Sequence, residues 1–171
     1  MPLFLDACAL AKRYLHEGKS STTMKAVTGR PERWGGLFVS SFVEIEVVSS
    51  IAKAAREYGN PYGRADALKA VSRTVGGFLN EYRGGAFNIV ELNPRLMGSS
   101  INQLREHPEM NIGAGDAIHL ATALQIVRDT GAGLVFATAD QGLYEAARKE
   151  GLKVFNPNFE DEHRLSRIVN T

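Results

Sequence analysis

The sequence has a single cysteine, Cys8, so no internal disulfide can form. That excludes a disulfide-stapled scaffold and fits a reducing compartment, and a cytoplasmic location is expected. No apolar run approaches the ~20 residues that a membrane-spanning helix needs. The opening stretch, MPLFLD, lacks the basic segment and long apolar core of a secretory signal. Neither charge is in excess, with 20 Lys and Arg against 19 Asp and Glu, so overall charge steers toward no partner class. There is no internal repeat and no low-complexity tract. What remains is a chain of 171 residues with 44% hydrophobic content, long enough for one substantial core and short for two.

Short apolar runs at 3–5, 37–39, 88–92, 134–138 and 152–155 read as strands. Helical spacing fills most of the intervals. One helix follows the first run, with Leu10, Tyr14 and Leu15 on one face, and another covers 21–27. A long helix capped by Ser40 or Ser41 reaches about Tyr58, and Asn60-Pro61 turns into a helix ending near Tyr82. Three more begin at Asn93-Pro94, in GDAIHLATAL and after Asp140. Buried-type strands alternating with helices predict an α/β fold, a three-layer sandwich with a mostly parallel central sheet. One domain is expected over 1–157. The segment 158–171 is a charged tail, suited to a docking helix, whose only apolar grip beyond Phe159 is Leu165, Ile168 and Val169.

Three aspartates take related positions in this scheme. Asp6 ends the first strand, Asp140 follows the fourth, and Asp116 opens a helix. A parallel sheet brings strand C-termini and helix N-termini to one edge, where open α/β folds bind ligands, so the three can converge. Each alone is also a favoured N-cap. Asp116 has His119, not Glu or Gln, three residues on, which predicts no capping box there. Clustered carboxylates repel by ~4 kcal/mol per pair at ~4 Å and an effective dielectric of ~20. Such a cluster calls for a divalent cation, and oxygen-only ligands favour Mg²⁺ or Mn²⁺ over zinc. The four histidines show no zinc-ligand spacing, and His119, inside an apolar helix, reads as a core or rim residue. A fourth acid would come from Glu44 or Glu46, which lie on nearly opposite helix faces, and periodicity leaves that choice open.

LFLDACALAKRYL, FVSSFVEIEVVSSIAKAA, GAGDAIHLATAL and VFATADQGLYEAARKEGLKVFNP, in that order, resemble the PIN-domain family, in particular the VapC-type ribonuclease toxins. The resemblance implies acidic site residues at Asp6, Glu46, Asp116 and Asp140, with Glu44 as the backup for Glu46, and a supporting Thr138. It departs from the family at Cys8, where Ser or Thr is usual. It further implies endonucleolytic cleavage of RNA with Mg²⁺ or Mn²⁺, an antitoxin protein that blocks the site, and a homodimer. Lys12 and Arg13, on the helix leaving Asp6, and Arg33, in a loop with Arg30 and Trp34, are the candidate RNA contacts. Two rivals with a strand-end aspartate fit poorly. A haloacid-dehalogenase-type phosphatase needs a second Asp where Cys8 stands, and a receiver domain needs an acidic pair before its aspartate. The alternative from another class is a PIN-like module that binds RNA or protein without cutting.

Overall fold

The computed structural model describes residues 1–57 and 64–171. The expected Asn60-Pro61 turn lies outside the described residues. Five parallel strands, β1 (Leu3–Leu5), β2 (Leu37–Ser40), β3 (Asn88–Val90), β4 (Val135–Ala137) and β5 (Lys153–Phe155), form one sheet in the order β3-β2-β1-β4-β5. The helices are α1 (Ala7–Tyr14), α2 (Lys19–Thr28), α3 (Val43–Glu57), α4 (Arg64–Arg83), α5 (Pro94–Glu106), α6 (Ala114–Thr130), α7 (Gln141–Lys149) and α8 (Glu162–Asn170).

Side chains alternate across each strand and so feed two cores. Leu3 and Leu5 of β1, with Leu37, Val39, Val135 and Phe155, pack among residues of α1 to α4 and α8. Phe4, between them, stacks on Phe136 at 5.4 Å and joins the α6 and α7 side with Leu120 and Leu143. The result is the expected α/β/α sandwich. In the tail, α8 buries Leu165 and Ile168 in the first core. Among the described residues, no helix is long and apolar enough to cross a membrane.

The strand order positions the site. From β1 the chain steps outward through β2 and β3, then returns to β4 on the other side of β1. The reversal falls between β1 and β4, and the crevice at the C-terminal ends of such a strand pair is where open α/β sheets bind ligands. Asp6 follows β1 directly and Asp140 stands three residues past β4.

Candidate active site at the C-terminal edge of the sheet

The β1–β4 register pairs Leu5 with Ala137, which sets Asp6 beside Thr138. The Asp6 N–H donates to the Ala137 carbonyl at 3.1 Å. Its carboxylate is buried and fully engaged, with Oδ1 accepting from the Ala9 N–H and Oδ2 from the Thr138 hydroxyl, both at 2.6 Å. Thr138 Oγ1 also accepts from the Asp140 N–H at 3.0 Å, so one hydroxyl ties the two aspartates together. Asp140 itself caps α7 through the Leu143 N–H at 2.8 Å.

Asp116 departs from the expectation for it. The helix begins two residues earlier, at Ala114, with Gly113 as its N-cap. Asp116 therefore sits in the first turn and reaches back to the Gly113 N–H at 2.8 Å, acting as the acid of a half-formed capping box. Gly113 and Gly115 blurred the start of the helix in the sequence.

The two glutamates of α3 part company. Glu44 turns toward α4 and pairs with Arg83 at 3.0 Å. Glu46 turns toward α6, where His119 Nε2 meets its Oε2 at 2.6 Å. His119 is buried, as expected, but it is no bystander: its Nδ1 lies 3.0 Å from the Ser40 hydroxyl at the end of β2. Sequence reading missed this link. The available signal was one polar ring, a turn beyond Asp116, in a helix that is otherwise apolar.

Electrostatics ties the four acids to one place. Burial raises Asp6 to about 7, against the opposing pull of His119, Thr138 and the Ala9 N–H, while Asp116 pushes it further up. Burial also raises Asp116, the Gly113 N–H opposes, and Asp140 and Glu46 add to the rise. The Cys8 thiol is driven up first by partial burial and then by Asp6, Asp116, Asp140 and Glu46 together. Four carboxylates act on one thiol at the sheet's switch point.

No protein-family model matches the chain, and no curated protein matches it. Solved structures do. "FitAcB" from Neisseria gonorrhoeae is similar with a TM-score of 0.55 at 16% identity, covering 94% of this chain and 100% of that one. PAE2754 from Pyrobaculum aerophilum is similar with a TM-score of 0.52 at 18% identity, covering 100% of this chain and 97% of that one. The likeness shows a shared fold, in keeping with the α/β fold that the PIN-domain resemblance implies.

Within this fold the three expected RNA contacts go separate ways. Lys12 lines a cleft of about 280 Å³ beside the acids, with Cys8, Glu17, Ser50, Lys53 and Asp140, and pairs with Glu17. Arg13 is turned away and holds Glu81 through two bonds of 2.9 Å, with Thr28 on its third nitrogen. Arg33 precedes β2, at the end where the strands begin, and pairs with Glu162 of α8. Trp34 is buried, its indole N–H bonded to the Val27 carbonyl at 2.7 Å, so it offers no face to a base. A loop aromatic looks the same in sequence whether it stacks outward or folds inward.

The donors of this site suit a hard divalent cation: all four are carboxylates, and Asp6 and Asp116, raised chiefly by burial and further by neighbouring acids, lie in a setting that a cation would relieve. They do not make a closed cage. Among the described residues, no three His, Cys, Asp or Glu come together as a ready coordinating group. Mg²⁺ does not require one, since it usually keeps several waters and takes only one or two carboxylates.

Proposed function

We propose that the chain is a metal-dependent endoribonuclease and the toxin of a toxin–antitoxin pair. The observation that carries this reading is the gathering of Asp6, Glu46, Asp116 and Asp140 about Cys8 at the β1/β4 switch point. A folding role alone gives no reason to collect four like charges, because each could cap or pair elsewhere. Asp6, Asp116 and Asp140 hold Mg²⁺ or Mn²⁺, and Glu46 either ligates or orients the attacking water. The metal supplies Lewis acidity at the scissile phosphate and an ionised water at neutral pH. Thr138 fixes the Asp6 carboxylate, and Cys8 lines the adjoining cleft with Asp140. Lys12 and Lys53 bring positive charge to the adjoining cleft, which receives the phosphate backbone. Partners follow from the PIN resemblance: RNA as substrate, an antitoxin that covers the acidic edge, and a second copy of the chain in a homodimer.

The non-cutting module is favoured by one observation, that each of the four acids already has a hydrogen bond within the chain. A single experiment separates the two. The purified chain is expected to cleave single-stranded RNA with Mn²⁺ or Mg²⁺ and to stop in EDTA. Asp116→Asn keeps an acceptor for the Gly113 N–H and is expected to lose about a thousand-fold or more in rate. Cleavage by this variant at the parent rate, or undiminished in EDTA, overturns the nuclease reading.

A further inference from the structure

Glu46 is set from outside its own helix. Two residues of α6, four positions apart, meet its carboxylate on its two oxygens. On one side His119 Nε2 faces Oε2 at 2.6 Å. A carboxylate only accepts, so Nε2 is the donor, and the Ser40 hydroxyl completes the ring at Nδ1. The imidazole is locked between Phe4, in edge contact at 6.2 Å, and Phe42 at 6.4 Å. On the other side lies Gly115. A Cβ added there would overlap Glu46 Oε1 and come within 3.1 Å of its Cδ and 3.3 Å of the Phe42 ring. The backbone at Gly115 does not call for glycine, since its φ is outside the left-handed range. In a helix, alanine is favoured over glycine by ~1 kcal/mol, so the missing side chain serves space rather than conformation.

We propose that His119 and Gly115 form a clamp that orients the Glu46 carboxylate toward the acidic edge, making His119 a positioning residue for metal binding. The metal part rests on the reading given under Proposed function; the clamp itself does not. Partners of this kind, which orient a ligating carboxylate, typically change metal affinity 10- to 100-fold when removed. Gln in place of His119 puts an amide N–H near the position of Nε2, whereas Ala leaves Oε2 without its donor.

The test uses the full metal-free chain and titrates Mn²⁺ calorimetrically into the parent, His119→Ala, His119→Gln and Gly115→Ala. The expected result is a 10- to 100-fold loss of Mn²⁺ affinity in His119→Ala, recovery of most of it in His119→Gln, and a comparable loss in Gly115→Ala. Gly115→Ala is expected to remain folded in EDTA, because Glu46 is partly exposed and can swing aside. Should His119→Ala fail to fold, Gly115→Ala still decides. Equal losses in the Ala and Gln variants, or unchanged affinity in Gly115→Ala, overturn the positioning role. A second readout needs no metal. Melts of His119→Ala, Glu46→Ala and the double variant in EDTA are expected to be non-additive, and additivity overturns the clamp. A parent chain that takes up no Mn²⁺ refutes the metal-site reading, while this cycle still decides the clamp.

Discussion

The two edges of the sheet treat charge in opposite ways. Where the strands begin, charge is matched: Arg33 pairs with Glu162, lies 4.9 Å over the Trp34 ring, and covers an indole whose N–H is already satisfied. Where the strands end, like charges collect, and the buried His119 meets one of them, Glu46. Helix N-termini at the second edge favour single acids as caps, but they do not call for four acids in one place. A protein that neutralises one edge and leaves the other short of counter-charge keeps the second available for something that brings positive charge with it.

The sharpest separation of the edges is the Asp116→Asn loss of cleavage described above, which removes one charge and little packing. Its counterpart at the other edge is Trp34→Ala. Deleting a buried indole is expected to cost about 3–5 kcal/mol of stability. The rate of RNA cleavage at a temperature where the variant is folded is expected to stay as in the parent. Denaturant melts with parallel rate measurements check both halves. A large rate loss in folded Trp34→Ala would break the division of labour between the edges.

Acid–base behaviour gives a subtler contrast. Asp6 is raised in the folded chain from 3.8 to about 7, chiefly by burial. The folded state then binds a proton that the unfolded state has released, so metal-free stability is greatest below pH 4 with respect to this group. It declines as pH rises through about 7, by up to about 4 kcal/mol for a shift of this size. Asp6→Asn retains an acceptor for the Ala9 N–H and is expected to flatten that decline. Chemical denaturation in EDTA between pH 4.5 and 8 measures it; identical slopes in parent and variant would mean that burial does not strain this carboxylate. The smallest effect belongs to Glu44→Gln, which breaks an exposed pair with Arg83. It is expected to change stability by about 0–1 kcal/mol and cleavage not at all, in contrast to Glu46 two residues on.

Much of this was legible in sequence because it is local. Leu3 to Leu5 and 134–138 read as buried strands from their own composition, and Asp6 and Asp140 gain their places by ending those runs. What stayed hidden depends on residues far away in the chain. Periodicity does not separate Glu44 from Glu46, the one that the resemblance favours, until Arg83 and His119, 39 and 73 positions distant, claim one each. Arg13 looks free for phosphate until α4 brings Glu81 against it. The register of α6 was misjudged by two residues because glycines ahead of Asp116 carry no side chain to mark a cap.

The Asp6–Thr138 hydrogen bond joins positions 132 apart in sequence. The flank of β1 that receives β4 stays open until synthesis has passed Ala137. A nascent chain that stops short of Thr138 lacks one half of the acidic edge. The acidic edge is therefore assembled from two distant parts of the chain, and it is complete only once β4 has slotted in beside β1.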